Sequence, residues 1–314
     1  MSSPRDPRLL VVALGGRALQ GAGRPVGPEA WLRALERSLP PLVEVVTAGF
    51  RIVLVHGSPP PAETDRRAER GRGSPPLALD LRAAEIQGAA GYTIQQALGN
   101  LCRARGVEVP IVVVVTRVEV APDDPAFRRP ARPVGPPYSA AQARRLGRER
   151  GWVFLGSAAA RRRAVPSPRP RRVLEADVIG RLADAGAIAI AAGGGGVPVV
   201  QTDEGYRGVE AVLQEDATAG LVATALAADR LVFVTGVDRV EVGHRTSRAI
   251  GVERLSIAEA RALLKARAFP AGSIGPKIEA AAEFVEAGGR EAIVTSLPAI
   301  RAALDGRAGT RVVP

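Results

Sequence analysis

The chain has 314 residues, 46% of them hydrophobic and 24% charged, which suits one large α/β domain or two small ones, with ample length for a buried core. Its single cysteine, Cys102, excludes an intramolecular disulfide and a cysteine-based metal cluster, and no apolar run reaches the ~20 residues of a membrane helix. The net charge of +11 on its own suggests nucleic acid, but only Lys265 and Lys277 are lysines, the arginines are spread along the chain, and aromatics at 4% are too few to stack bases, so a small anionic substrate is the expected partner instead.

Met1 to Arg8 lacks the apolar stretch of a signal peptide, so the cytoplasm is the expected compartment and no membrane partner is expected. Leu9 to Leu14 has the pattern of a buried strand and runs into Gly15-Gly16. Pro28 to Ala48 has helical spacing interrupted by Pro40 and Pro41. Arg51 to His56 is a second strand ending at Gly57, and the Pro-rich, then charged stretch Ser58 to Arg72 reads as loop. Leu79 to Arg105 predicts one helix or two, and the β-branched run Ile111 to Val120 predicts one long strand. Pro122 to Pro170 is rich in Pro and Arg, without long strand patterns, and holds one helix near Ser139 to Arg150.

Beyond it, strands are predicted at Ala187 to Ala192, Leu231 to Val237 and Ala292 to Thr295. Helices are predicted at Asp216 to Ala228, Ile257 to Ala268, Pro276 to Glu286 and Pro298 to Leu304. Strands alternating with helices imply a mainly parallel sheet covered on both faces, with ligands at the carboxyl ends of the strands. The residues at those ends are glycines: Gly15-Gly16, Gly57 and Gly193 to Gly196. Such turns expose backbone N–H groups to phosphate, but each alone reads equally as a plain turn. None is a G-x-G-x-x-G or Walker A sequence, which disfavours a dinucleotide or P-loop enzyme. His56 reads as structural, two separated histidines with one cysteine make no zinc site, and no Gly-x-Ser-x-Gly elbow supports a hydrolase.

Several longer motifs occur together. They are Val11-Val-Ala-Leu-Gly-Gly16, Gly91-Tyr-Thr-Ile-Gln-Gln-Ala-Leu98, Asp123-Asp-Pro-Ala-Phe127 with Pro133-Val-Gly-Pro136, Val165-Pro-Ser-Pro168, Gly193-Gly-Gly-Gly-Val-Pro198, Gly208-Val-Glu-Ala-Val212, Thr235-Gly-Val-Asp238, and Ala271-Gly-Ser-Ile-Gly-Pro-Lys-Ile-Glu-Ala280. In this order, and over nearly the whole chain, they resemble the carbamate kinases of the amino-acid-kinase superfamily. The resemblance implies a three-layer αβα sandwich with a mainly parallel central sheet, one domain over 1–314 with an inserted lid subdomain over 121–170, and a homodimer. It also implies reversible phosphoryl transfer between ATP and carbamate with Mg²⁺, in arginine metabolism.

Residue by residue, the resemblance implies nucleotide-binding roles for Gly15, Gly16, Thr235, Gly236, Asp238 and Lys277, and catalytic roles for Lys277, Asp216 and the lid residue Arg132. Substrate-side roles fall to Arg17, Gly57, Gly194 and Gly195, and no residue is assigned as a direct metal ligand. The chain departs from the family pattern at Arg17, where an asparagine is expected, and at Ser58-Pro59-Pro60-Pro61, where Asn-Gly-Pro-Gln is expected. It departs again at Arg132 and Glu215, each in place of lysine, and at Gln214 in place of aspartate. Pro59 removes an N–H donor, Glu215 reverses a charge, and each lost transition-state donor costs ~10²–10³ in rate. Three readings follow: a working carbamate kinase, a regulatory or scaffold homologue with impaired catalysis, and a kinase for another small carboxylate or carbamate-like acid. A basic binding module is the remaining alternative.

Overall fold

In the computed structural model, which describes residues 9–16, 27–57, 77–157, 160–243, 250–269 and 274–314, the chain begins with β1 (Leu9–Leu14), α1 (Pro28–Ser38), α2 (Pro40–Thr47), β2 (Arg51–His56), α3 (Leu79–Ala104), β3 (Ile111–Val114) and β4 (Arg117–Val120). It continues with β5 (Arg132–Tyr138), α4 (Ala140–Arg150), β6 (Val153–Gly156), β7 (Arg161–Val165), β8 (Pro170–Val173), α5 (Ala176–Asp184), β9 (Ile188–Ala191), β10 (Val197–Thr202) and β11 (Gly205–Gly208). The last part is α6 (Glu215–Ala225), β12 (Arg230–Thr235), β13 (Val240–Val242), β14 (Ile250–Val252), β15 (Arg254–Ser256), α7 (Ile257–Lys265), α8 (Ile274–Glu286), β16 (Glu291–Ser296), α9 (Ile300–Leu304) and β17 (Thr310–Val313).

β1 is buried at every position because its alternating side chains enter two cores. Leu9, Val11 and Ala13 join Val53, Val55, Leu231 and Phe233, packed under Ile179 of α5, Ala219 and Val222 of α6, and Ile278 and Phe284 of α8. Leu10, Val12 and Leu14 join Ile52, Leu54, Val232 and Val234 on the other face, under Leu35 of α1, Leu42 of α2, Ile94 and Leu98 of α3, and Ile300 of α9. Burying a Leu, Val or Phe side chain contributes about 1.5–3 kcal/mol, so these two layers hold the sheet between helices. The sheet order is β15-β17-β16-β12-β1-β2-β9-β3, parallel throughout except for the β16–β17 pair. This is the mainly parallel αβα sandwich that the sequence implies.

Close approach of helix to sheet is set locally. A Cβ on Gly91 of α3 would lie 2.5 Å from Val113 Cγ1, so only glycine lets α3 settle on β3. The proline pair that interrupts the first helical region makes a joint: α1 stops at Ser38 and α2 restarts with Pro40 in its first turn, where proline lacks nothing it would need.

Two expectations are corrected. The run Ile111 to Val120 is two strands in two sheets, β3 in the main sheet and β4 in a second sheet of order β11-β10-β4-β8. The chain breaks at Val115–Thr116, where the Gln87 side chain pairs with the Thr116 backbone while Thr116 O also accepts the Val197 N–H at 2.8 Å, at the start of the second sheet. The stretch Pro122 to Pro170, read as lacking long strand patterns, contains a three-stranded antiparallel sheet of order β5-β7-β6. β5 carries Pro133, Pro136 and Pro137 but lies at the sheet edge, where proline costs no ladder bond. The helix in this stretch is capped by a reciprocal Ser139–Gln142 box. Among the described residues, no helix is long and apolar enough to cross a membrane.

Candidate functional site

The carboxyl ends of β1, β2, β9 and β12 lie side by side, and each gives way to a glycine or threonine turn. The Gly15 N–H donates to Val234 O at 3.1 Å and the Gly57 N–H to Leu14 O at 2.9 Å, so the parallel ladders extend to the turn tips. At Gly15 a Cβ would meet Val234 O at 3.0 Å, which explains the glycine. The turn after β9 needs left-handed backbone: Ala192, Gly194, Gly195 and Gly196 have φ of 50°, 64°, 97° and 88°. The Gly195 carbonyl accepts the Thr218 hydroxyl at 3.0 Å, tying this turn to α6.

Two helix starts converge on the same edge. Gly220 of α6 faces Ala280 of α8, where a Cβ would already lie 3.4 Å from Ala280 O, so the helices lie close. One turn nearer their N-termini this brings Asp216 against Lys277. The ammonium donates to both carboxylate oxygens, at 2.8 and 3.0 Å, with both residues buried. Burial pushes the Asp216 carboxyl above its ordinary range, against the Lys277 ammonium and, through space, the Arg132 guanidinium, which both favour its ionised form. The three residues expected to carry catalysis are therefore electrically one cluster, built from α6, α8 and β5.

Glu215, the first residue of α6, turns toward the glycine turns. A Cβ on Gly57 would lie 2.8 Å from Glu215 Oε2, 3.2 Å from Oε1 and 2.8 Å from the Gly16 amide nitrogen. A carboxylate thus stands between the turns after β1 and β2. On the other side, Thr235 ends β12 in register with Ser296 of β16, and Ser296 donates its hydroxyl to Asp238. Among the described residues, nothing lies within 4 Å of where a Cβ on Gly236 would stand. Arg17 and Ser58 to Pro61 lie outside the described residues.

Two supports were not legible as site residues. His56 is buried, its Nδ1 lies 2.8 Å from Gly57 O, and a Cβ on Gly193 would lie 2.1 Å from its Nε2. A carbonyl only accepts, so Nδ1 carries the proton. Burial lowers the ring's basicity, a shift the bond to Gly57 partly opposes. His56 thus braces the β2 turn against the β9 turn, in line with its structural reading. Gln87 of α3 makes a reciprocal pair with the Thr116 backbone, donating to O at 3.1 Å and accepting from N at 2.8 Å, while Thr116 Oγ1 accepts the Ala192 N–H at 2.9 Å. The only sequence signal was a glutamine on the apolar face of a helix.

The chain as a whole is similar to known proteins. Residues 8–296 match the amino acid kinase family. A carbamate kinase of Pyrococcus horikoshii is 37% identical over 313 residues, covering 98% of this chain and all of that protein. A carbamate kinase-like protein of Escherichia coli is 38% identical over 312 residues, 97% of this chain and 98% of that one. Among solved structures, a carbamate kinase from Giardia lamblia bound to AMP-PNP superposes with a TM-score of 0.91 at 32% identity, over 98% of both chains.

Proposed function

The chain belongs to the carbamate kinases of the amino acid kinase family, and from that premise we propose that it transfers a phosphoryl group between carbamoyl phosphate and ADP, giving ATP and carbamate. The observation that carries this reading is the buried Lys277–Asp216 pair at the carboxyl edge of the sheet. Two buried charges are expensive to maintain, and a hydrophobic pair would serve stability as well, so an ammonium held there points to anion binding.

Carbamate is already an anion, so the transfer needs position and charge neutralisation rather than a strong base. Lys277, steered by both oxygens of Asp216, is set to neutralise the nucleotide phosphates as the phosphoryl group moves. Arg132 adds a second positive charge from the 121–170 segment, which acts as a lid. The Gly16 amide faces the phosphates beside Gly15, whose own N–H is taken by Val234 O, and Thr235, Gly236 and Asp238 line the nucleotide side. Gly57, Gly194 and Gly195 form the acceptor side. Both Asp216 oxygens are committed to Lys277, which suits Mg²⁺ carried on phosphate oxygens and water, with Asp216 beside it. The ion would supply further neutralisation of phosphoryl charge. ATP as the nucleotide is supported by the AMP-PNP on the Giardia lamblia relative.

The active form is a homodimer in the cytoplasm. Leu81 and Tyr92 on α3 are exposed, as is Val115 just past the edge strand β3, an apolar surface suited to a second copy. A second reading, a regulatory homologue with little turnover, is favoured by Glu215 beside Gly16 and Gly57.

The test is ATP formation from ADP, Mg²⁺ and carbamoyl phosphate in a coupled assay. Turnover of roughly 1–10³ s⁻¹ is expected. No turnover by protein that binds ADP would overturn the kinase reading in favour of the regulatory one or of another acid substrate.

A further inference from the structure

The motif Gly208-Val-Glu-Ala-Val212 contains a carboxylate, Glu210, that the proposed chemistry does not use. A cavity of about 880 Å³ lies between the 121–170 segment and the second sheet, lined by Trp152, Arg163 and Val165 on one side and by Gly208, Val209 and Glu210 on the other. The two parts therefore stand apart there, and an ion pair spans the gap. Arg163 of β7 donates Nη2 to Glu210 Oε2 at 2.8 Å. The same guanidinium lies 4.1 Å from the centre of the Trp152 ring, which fixes it on the lid. The other oxygen, Glu210 Oε1, accepts the N–H of Leu79 at 2.8 Å, at the first residue of α3, where the helix dipole favours a negative charge. Gly208 packs against Asp80 of the same helical turn so closely that a Cβ would lie 1.9 Å from Asp80 Oδ2. Glu210 is thus held on the body of the domain through one oxygen and reaches the lid with the other.

The strand that Arg163 belongs to also seats the lid's catalytic charge. β7 pairs with β5 so that Arg163 lies opposite Val134 and Val165 opposite Arg132. Arg132 acts on Asp216 through space, so its effect depends on where the lid stands. We infer that Glu210 is a positioning residue: it straps β7 to the start of α3 and so sets the distance from Arg132 to the Lys277–Asp216 pair. The inference rests on the kinase reading for the step that Arg132 serves, but not for the strap itself. The glutamate side of the strap is 53% exposed, so breaking it should cost little stability and should act on geometry instead. A second crossing reports whether the lid has moved, because the Val212 N–H donates to Pro166 O at 3.0 Å.

The experiment compares the full chain with Glu210→Gln and Arg163→Met by hydrogen exchange and by the kinase assay. Glutamine offers one acceptor oxygen to two donors, so the helix bond can persist while the strap opens. Methionine opens the strap from the lid side and serves if the glutamine variant fails to fold. Glu149→Gln is the charge control, since Glu149 pairs with Arg145 within α4. The Val212 amide should exchange at least fivefold faster in either strap variant, with protection of β1 unchanged, and less than twofold faster in the control. In the assay, kcat should fall at least fivefold while the KM for ADP changes less than twofold. In an Arg132→Ala background, Glu210→Gln should change kcat less than twofold. Unchanged exchange at Val212 in folded variants overturns the inference. So does an equal change in the control, which would make the effect one of lid charge. A full loss of kcat that persists in the Arg132→Ala background also overturns it, since Glu210 would then not act through Arg132. Faster exchange in a chain without turnover upholds the strap and removes the kinase reading alone.

Discussion

Replacing Lys277 with methionine keeps the volume of the side chain and removes its charge, so it isolates what the ammonium does for Asp216. The pair is bidentate at 2.8 and 3.0 Å and buried on both sides. Two unit charges at that separation attract by about 6 kcal/mol at an effective dielectric of 20. Arg132 still acts on Asp216 in the variant, and the carboxyl can take up a proton, so the net loss should be about 3–5 kcal/mol, as for other broken buried pairs. For a chain of this size that is a fall in Tm of roughly 5–8 °C.

The pH dependence is the sharper test. Burial already raises Asp216 above its ordinary value of 3.8, and removing Lys277 takes away the largest opposing influence, so the folded-state value rises further. A carboxyl whose folded value exceeds its unfolded value is penalised when charged. The stability of the neutral form is fully present below the unfolded value and is lost as pH rises through the folded one. The Tm deficit of Lys277→Met should therefore be large at pH 8 and narrow steadily toward pH 5 in a thermal melt series. Adding Asp216→Leu should recover most of the stability but none of the activity. A deficit that stays constant with pH would refute the claim that the cost is an uncompensated carboxylate.

Gly193→Ala should cost about 1–3 kcal/mol by chemical denaturation, because its Cβ would overlap the His56 ring. His56→Ala in the same chain should return part of that loss, and strictly additive losses would argue against the contact. Gln87→Leu should destabilise by about 2–3 kcal/mol, since it leaves the buried Thr116 N–H without its acceptor. Hydrogen exchange at Thr116 and Ala192 should quicken together in that variant, and unchanged protection at Ala192 would show that the network does not reach the glycine turn.

Much of the site could be read along the chain because its parts are punctuated locally. Buried strands end at glycines, and Lys277 stands alone as a lysine within a long family motif. Unbroken apolar runs alternating with helical stretches pointed to a mainly parallel sheet, since strands buried on both faces carry apolar residues at every position. The errors came where neighbours outweigh local preference. Proline in β5 and the unbroken β-branched run across β3 and β4 each suggested the wrong element, because edge position and the Gln87–Thr116 pair are set by residues far away in sequence.

The class of fold, the glycine turns and the identity of the charged residues near them follow from local pattern along the chain. How those charges face one another follows from packing. It put Lys277 on Asp216 across 61 positions and set Glu215 against Gly57 and Gly16. It also made His56 the brace between two turns. The physical reason is that a motif records local backbone needs, whereas charge pairing and steric exclusion act through space between elements that only packing brings together.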